Sequence, residues 1–201
     1  MSRTTVTTDM LKDLAVTTAK INDLSVTTAK LAAGSVTTAK LAQGAPITLK
    51  AQQASTSGTE IDFTGIPAGV KRITVMLKGV SLSGTDNLLV QIGDAGGPEV
   101  SSYISSSGAT NNGAGGAVAS STAGFIIQGG GAAGIVSGTM TLSLMDAATF
   151  SWVSAHATKT STTLTASGSG EKALSAELTQ VRVTRTGTDT FDAGAVGLSY
   201  E

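Results

Sequence analysis

The sequence contains no cysteine and only one histidine, His156. The lack of cysteine excludes disulfide bonds, thiolate metal sites and cysteine nucleophiles, and a single histidine excludes a multi-histidine metal cluster. Phe, Trp and Tyr together make up 3% of the 201 residues. That is too few for the aromatic platforms on which bases or sugar rings stack. These absences remove several common catalytic and ligand-binding chemistries before any motif is considered.

Charged residues are scarce and nearly balanced in sign, with 13 Lys and Arg against 14 Asp and Glu. This balance argues against a nucleic-acid partner, because phosphate binding needs a clustered basic surface. The N-terminus lacks the apolar run of a signal peptide, and no stretch approaches the roughly 18 apolar residues of a membrane span. We therefore expect no export signal and no membrane insertion, with synthesis and assembly in the cytosol.

Thr (31), Gly (25) and Ser (23) are abundant. Low charge combined with many β-branched residues is unlike the composition of disordered chains, which are charged and poor in such residues. It is typical of β-structure with a surface covered by hydroxyl groups. We therefore expect an all-β protein.

A ten-residue repeat occupies the N-terminal part of the chain. The tripeptide Val-Thr-Thr begins four times, at Val6, Val16, Val26 and Val36. A second apolar position recurs at Leu11, Ile21, Leu31 and Leu41, and a third at Leu14 and Leu24, which Gly34 and Gly44 replace in the later copies. A period of ten matches neither the coiled-coil heptad nor the eleven-residue repeat of right-handed supercoils.

One copy cannot bury its own Val and Leu side chains, so such repeats gain a core only by stacking or association. We predict a repeat shaft over residues 1–45 in which three chains intertwine, with Lys and Thr outside. A thin single-chain solenoid and a flexible Ala/Thr linker are the alternatives. The side chains predicted to face the trimer axis are Val16, Val26, Val36, Leu31 and Leu41.

The array Val-Thr-Thr-Ala-Lys-Leu-Ala-x-Gly-Ser, over residues 5–45, resembles the decapeptide repeats at the N-terminal ends of bacteriophage tail-fibre and other virion fibre proteins. The resemblance implies a homotrimeric virion component without enzymatic activity. The repeats would attach to the baseplate or another tail protein, and the rest of the chain would contact a receptor on the host cell surface. A capsid-anchored head fibre or decoration protein with the same parts is the alternative.

The first two copies carry Asp13-Leu14 and Asp23-Leu24 where the later two carry Ala33-Gly34 and Gln43-Gly44. The additional leucines give the early copies apolar surface to bury against a partner. We therefore predict that residues 1–25 dock onto the virion and that the C-terminal domain is distal, with drift in a uniform shaft as the alternative. The docking side chains would be Leu11, Leu14, Ile21 and Leu24.

After Pro46 the hydrophobic pattern changes to a period of two, which indicates strands. Ile73, Val75 and Leu77 alternate with polar residues, as do Met140, Leu142 and Leu144. Glycine-rich turns, among them Gly168-Ser169-Gly170, separate about eight to ten such strands. The spacing predicts a β-sandwich, jelly-roll-like, over residues 46–201.

Residues 63–75, beginning Phe63-Thr64-Gly65-Ile66-Pro67-Ala68-Gly69, continue into a strand ending Gly93-Asp94. Residues 59–103 closely resemble a β-domain found in many phage and prophage virion proteins, and the residues after them resemble it loosely. The Pro and Gly independently predict a turn at residues 66–69. Residues 105–134 are rich in Gly and Ala, and we interpret them as two long loops around one strand at residues 124–128. An exposed surface that contacts a partner is the alternative.

No catalytic arrangement is visible. Trp152, Ser154 and His156 would share one strand face, but no Gly-x-Ser-x-Gly nucleophile elbow is present, and we expect His156 to be a surface or interface residue. Gly129-Gly130-Gly131 lacks the Lys-Ser/Thr of a P-loop, and no calcium loop is present. The carboxylates that could form an acid–base pair are Asp62, Asp86, Asp94, Glu99, Asp146, Glu171, Glu177, Asp189 and Asp192.

Most of these carboxylates lie beside Gly, Asn or Thr, where Asp makes turns. We therefore predict no enzyme activity, no cofactor and no metal site, with a small hydrolase on a phage appendage as a further alternative. The expected location is the virion tail.

Overall fold

The computed structural model describes Thr27 and residues 47–111, 116–129, 131–132, 134–161 and 164–201. The chain separates into two units, Met1–Ala45 and Pro46–Glu201. Apart from Thr27, the first unit lies outside the described residues, so the predicted repeat shaft stays a prediction. The architecture below is that of the second unit.

The described part of the second unit is all-β, as the composition predicts, and its strands pair antiparallel without any helix. It therefore contains no helix of the length and apolarity that a membrane crossing requires. In chain order the strands are β1 (Thr48–Leu49), β2 (Gln53–Ala54), β3 (Ile61–Phe63), β4 (Arg72–Leu82), β5 (Leu88–Asp94), β6 (Gly97–Pro98), β7 (Ile104–Asn111), β8 (Ala117–Ser121), β9 (Phe125–Ile127), β10 (Val136–Asp146), β11 (Ser151–Lys159), β12 (Leu164–Ala173), β13 (Gln180–Arg185) and β14 (Phe191–Tyr200).

The fourteen strands exceed the eight to ten that the sequence predicts. β1, β2 and β6 are two residues long, and so short a strand carries no alternation from which it could be recognised.

The strands form two sheets. In the large sheet the order is β1-β14-β4-β10-β11-β12-β7-β8, and β2 also pairs with β14. In the small sheet the order is β3-β13-β5-β6, and β9 pairs with β5 beside β6. Neighbours in space are therefore often distant in sequence, as for β4 beside β14 and β7 beside β12.

The predicted alternation generates the core. Ile73, Val75 and Leu77 of β4 are buried, as are Met140 and Leu142 of β10 in the same sheet. Ile61 and Phe63 of β3 flank the exposed Asp62 in the small sheet. Most buried apolar side chains of both sheets belong to one hydrophobic cluster, so the two sheets share one core from which water is excluded.

The glycine-rich segments divide into turns and strands. The predicted turn at residues 66–69 is confirmed, and it joins β3 of the small sheet to β4 of the large sheet. The turn predicted at Gly168-Ser169-Gly170 is wrong, because these residues lie inside β12 and pair with both β11 and β7. Glycine is present there for close packing and not for a change of chain direction.

The interpretation of residues 105–134 as two loops around one strand is also wrong. The segment contains most of β7 and all of β8, besides β9, the only strand that was predicted. Inward positions of β7 hold Ser105, Ser107 and Ala109, all buried. Small and hydroxyl-bearing side chains hide the hydrophobic alternation by which a strand is recognised, although the backbone pairing is regular from Ser105 to Ala109.

Tyr103 completes the hydrogen bonding of β5. β9 pairs with Leu88–Val90 and β6 with Gly93 and Asp94, which leaves Ile92 between them. The Tyr103 hydroxyl accepts from the N–H of Ile92 (2.8 Å) and lies 3.1 Å from the Ile92 carbonyl oxygen. Burial raises the pKa of Tyr103 well above its ordinary value, so the group stays a neutral donor and acceptor.

Replacing Tyr103 by phenylalanine should lower the free energy of unfolding by about 1–3 kcal/mol, because the buried Ile92 N–H would lose its partner. Tyr200→Phe is the matched control, since Tyr200 is half-buried and its hydroxyl has no hydrogen bond within the described structure. Urea denaturation measures both, and the control should stay within about 0.5 kcal/mol of the parent. Equal stabilities for the two variants would contradict this role for the Tyr103 hydroxyl.

Candidate functional site

His156 and Ser107 form a buried polar pair on the inner face of the large sheet. The Ser107 hydroxyl lies 3.0 Å from Nε2 of His156, and both residues are almost inaccessible to water. Trp152, Ser154 and His156 share a buried face of β11, as the alternation predicts, and Trp152 belongs to the core cluster. The expectation that His156 is a surface or interface residue is wrong, because β9 and the residues after it cover this part of the sheet.

The pair lacks the third group of a catalytic triad. Nδ1 of His156 is buried and has no hydrogen-bond partner among the described residues. Burial lowers the pKa of His156 from 6.5 to about 4, so the imidazole is neutral near pH 7. A general base needs an orienting group on its second nitrogen and access to a substrate. Ser107 is 1% exposed, so this arrangement does not bring a substrate to the hydroxyl.

The serine hydroxyls instead bind the backbone of β9 and the residue that follows it. The N–H of Ile126 donates to Ser105 (2.9 Å), and the N–H of Gln128 donates to Ser107 (3.2 Å). These N–H groups lie on the edge of β9 that does not pair with β5, and without the hydroxyls they would be buried donors without partners. Two serines spaced by two on β7 therefore join the small sheet to the large one.

Two glycines of β12 allow this close approach. A Cβ on Gly168 would clash with the carbonyl oxygen of Ser106, and the same Cβ would lie 2.5 Å from Cε1 of His156. A Cβ on Gly170 would lie 3.0 Å from the ring of Phe125 in β9. The glycines that the sequence suggests as a turn are therefore the positions against which His156 and β9 pack.

The candidate carboxylates have structural partners in nearly every case. Asp62 accepts two hydrogen bonds from Arg182, at 2.7 and 2.8 Å. Glu99 pairs with the buried Lys172 and accepts from the N–H of Ser175. The other carboxylates that accept hydrogen bonds from nearby loops or side chains are Asp86, Asp94, Asp146, Glu177, Asp189 and Asp192.

Two of these interactions shift a carboxyl pKa. The Ser175 hydroxyl, 2.5 Å from Oδ2 of Asp94, holds the pKa of that carboxyl below its ordinary value. The N–H of Ala148 does the same for the pKa of Asp146. Both groups are therefore stabilised as anions, which is the opposite of what a general acid at neutral pH requires.

Asp86 and Asp189 form a pair that the fold joins directly. They belong to two Gly-Thr-Asp turns, residues 84–86 and 187–189. Asp189 accepts from the N–H of Asp86 (2.8 Å), and Asp86 accepts from the N–H of Asp189 (2.9 Å). We call this reciprocal arrangement the aspartate clasp. It fastens the β4–β5 turn to the β13–β14 turn, and each carboxylate is occupied by the other backbone.

A polar cavity of about 390 Å³ opens next to the clasp. The residues that line it come from the β4–β5 turn, the end of β7, the starts of β8 and β12, and the residues after β9. They are Thr85, Asn87, Ala109, Asn111, Ala117, Gln128, Gly131 and Leu164. Nothing in the sequence marked these residues as a group, because an isolated Asn or Gln near a turn is ordinary.

A second depression of about 630 Å³ crosses β7, β8, β11 and β12. Its rim includes Ser106, Ser169 and Val153, and Glu171 is the only carboxylate among the described residues that line it. A glycosidase needs two carboxyl groups that face one cleft, and Glu171 has no second carboxylate in this one. Among the described residues, no three His, Asp or Glu side chains are grouped to hold a metal ion.

The site residues predicted in the repeats lie outside the described residues. They are the docking side chains Leu11, Leu14, Ile21 and Leu24 and the trimer-axis side chains Val16, Val26, Val36, Leu31 and Leu41. Their roles stay predictions.

The chain as a whole matches no protein-family model, no curated protein and no solved structure.

Proposed function

We propose that this chain is a structural protein of a phage virion without enzymatic activity, a tail fibre whose repeats attach to the baseplate or tail and whose β-unit contacts the host cell surface. The observation that carries the proposal is the ten-residue repeat with its phased Val and Leu positions. Repeats with apolar positions in strict phase need burial, whereas a simple linker has no need to keep them. A capsid-anchored head fibre or decoration protein is the second candidate, and the same repeat supports it.

The proposed architecture is a jelly-roll-like β-sandwich behind an intertwined trimeric shaft. The strand order supports the sandwich, because β4 pairs with β14 in one sheet and β5 pairs with β13 in the other. The chain therefore passes from the large sheet to the small one between β4 and β5, and it returns to the large sheet between β13 and β14. A pair of antiparallel strands that continues in this way from one sheet to the other is typical of a jelly roll. The aspartate clasp fastens these two connections at the place where the chain passes between sheets.

The distribution of polar groups supports a structural role. The buried serines and the single histidine serve the packing of β9, and the paired carboxylates serve turns. A hydrolase would need a nucleophile or a general acid free to meet a substrate. The purified protein should therefore release no oligosaccharide from host envelope polysaccharide.

Immunoelectron microscopy of virions tests the proposal. An antibody against residues 46–201 should label the distal parts of the tail. Label on the capsid would favour the head-fibre candidate, and unlabelled particles that also lack the protein by mass spectrometry would reject both. A phage whose gene lacks codons 1–25 should make a soluble protein that no longer incorporates. Normal incorporation would place docking elsewhere.

The repeat shaft predicts a specific oligomer. Sedimentation equilibrium of the full chain at micromolar concentration should give a trimer. Replacing Ile21 and Leu31 together by Asp should weaken the trimer by at least tenfold in each association step, because burying an unpaired charge costs several kcal/mol in every chain.

Thr18→Asp with Thr28→Asp is the control, since it adds the same charge at positions predicted to lie outside. The control should stay trimeric. A stable full-length monomer, or equal dissociation of both double variants, would contradict the prediction.

A further inference from the structure

The first strand of the β-unit exposes two large apolar side chains. Ile47, which precedes β1, is 62% exposed, and Leu49 within β1 is 71% exposed. They lie two positions apart on an extended segment, so both point to the same side. β1 is the last strand at its edge of the large sheet, and no described strand lies beyond it. Burial of these side chains against another surface would remove apolar area from water.

The opposite side of this segment is fastened to its own β-unit. Nζ of Lys50 donates to the carbonyl oxygens of Thr64 (2.8 Å) and Gly65 (3.2 Å). The N–H of Lys50 donates to the carbonyl oxygen of Leu198 in β14 (2.8 Å). These bonds fix the orientation of the segment, so the side chain of Leu49, which alternates with that of Lys50, is held facing outward.

The segment also keeps the spacing of the ten-residue repeat. Thr and Lys recur at intervals of ten as far as Thr48 and Lys50. Ile47 and Leu49 occupy positions at which the fourth copy has Thr and Ala. Two large apolar residues therefore replace small ones where the repeat spacing reaches the first strand of the β-unit.

We propose that Ile47 and Leu49 pack against the same residues of two further copies of this chain, at a common threefold axis. The inference rests on the proposed function, because it uses the trimer that the repeats predict, and it deepens that function by naming a contact between β-units. Three chains joined through residues 1–45 reach Ile47 within two residues, a length of at most about 7 Å. The three pairs of apolar side chains therefore start close together, and their contact excludes water.

The opposite edge of the large sheet exposes apolar side chains as well. Ile104 in β7 is 68% exposed, and Val118 in β8 is 76% exposed. β1 and β8 are the two ends of an eight-strand order, which places them roughly 30 Å apart at about 4.8 Å per strand. The two edges are too far apart for both to lie at one axis. The chain leaves the repeats at β1, so the β1 edge is the one at the axis and Val118 provides a matched control.

The surface next to Leu49 carries no uncompensated side-chain charge. Leu49 pairs with Ser199, and Ser199 pairs with Thr74, so these uncharged residues lie on the same side of the sheet. Arg72, two positions before Thr74, forms an ion pair with Glu201. Threefold symmetry brings three copies of every group together, so an unpaired charge here would be repelled by two like charges. The pairing of Arg72 with Glu201 avoids that repulsion.

Single cysteines test the contact in the full-length protein. The chain has no cysteine, so one introduced thiol can form a disulfide only with another copy. A disulfide needs Cα atoms within about 7 Å of each other. Under mild oxidation, Ile47→Cys or Leu49→Cys should give covalent dimers of up to about two-thirds of the chains, because three thiols at one axis form one bond and leave one thiol. Val118→Cys should stay uncrosslinked on a non-reducing gel.

A charge at the same position gives a second measurement. Leu49→Asp should weaken the trimer by at least tenfold in sedimentation equilibrium, because three carboxylates would meet at the axis. Val118→Asp adds the same charge at an equally exposed position of the opposite edge and should leave the trimer unchanged. Equal dissociation constants for the two variants would contradict a contact at Leu49.

Cross-linking at position 47 or 49, without cross-linking at 118, supports the proposal. A trimer in which neither thiol cross-links, or equal cross-linking at 118, would overturn it and leave the trimer of the repeats intact. A thiol at 49 that neither cross-links nor reacts with a maleimide would show that the same chain covers it, which would also overturn the proposal. Absence of the protein from virions would overturn the proposed function and leave the cross-link unaffected.

Discussion

Replacing Gly168 by alanine is expected to lower the free energy of unfolding by about 3 kcal/mol, which corresponds to a fall in melting temperature of roughly 6–12 °C. A methyl group there would press against the carbonyl oxygen of Ser106 and lie 2.8 Å from Cα of Ser107. Both obstacles are backbone atoms of β7, so relief requires that the strand move. That movement would also disturb the contact of Ser107 with His156. Thermal and urea unfolding measure the effect.

Gly108→Ala is the matched control. Gly108 lies in β7 and pairs with Ser167, next to the Gly168–Ser107 pair. A Cβ on Gly108 would meet no atom within 4 Å. The control should be within about 0.5 kcal/mol of the parent or slightly more stable, because alanine loses less backbone entropy on folding than glycine. Equal losses in the two variants would show that strand propensity, and not the close approach of β12 to β7, controls the result.

Acidification from pH 7 to pH 4 should cost about 3 kcal/mol of stability through His156 alone. The pKa of this imidazole is about 4 in the folded protein against 6.5 for the free group, because burial disfavours its charged form. Between these values the unfolded chain binds more protons than the folded one. The free energy of unfolding therefore rises with pH across this window and falls as the pH decreases through it.

The measurement is direct because the chain has a single histidine. The imidazole signal in a pH titration by NMR should give a pKa near 4 in the folded protein. His156→Leu should flatten the dependence of stability on pH between 4 and 6.5, whatever its stability at pH 7, since the carboxylates titrate identically in both proteins. A pKa close to 6.5, or parallel pH profiles for parent and variant, would show that the imidazole charges without cost.

The parts of the fold that the sequence predicts are those with long apolar alternation. The three alternating apolar residues of β4 are buried, and those of β10 are buried except Leu144, which is half-buried. β7 and β12 were missed because their inward positions hold Ser, Ala and Gly, which carry no hydrophobic period. They are strands because their backbones pair with each other and with β8 and β11, and the pairing of β7 with β12 joins segments far apart in the chain. The hydrophobic pattern of one short stretch of sequence therefore cannot reveal such a contact.

The same limit applies to the site. The alternation of β11 places His156 beside Trp152 and Ser154, but the contact with Ser107 depends on the pairing of β7 with β12. The cavity residues were missed for the same reason, since Asn87, Asn111 and Gln128 are separated along the chain and lie together only at one end of the sheets. For the aspartate clasp, however, a signal was present. The repeated Gly-Thr-Asp of residues 84–86 and 187–189 marks two turns of the same form.

The aspartate clasp also bears on the rate of folding. It joins residues 103 positions apart, and a hydroxyl of Ser55 reaches the carbonyl of Ala193 across 138 positions. Closing such long loops costs chain entropy before any contact forms, so all-β domains of this kind fold in milliseconds to seconds. Until β14 has paired with β4, the backbone edge of β4 on that side is exposed and can pair with another chain. Expression at low temperature, where encounters between nascent chains are slower, should therefore raise the soluble yield.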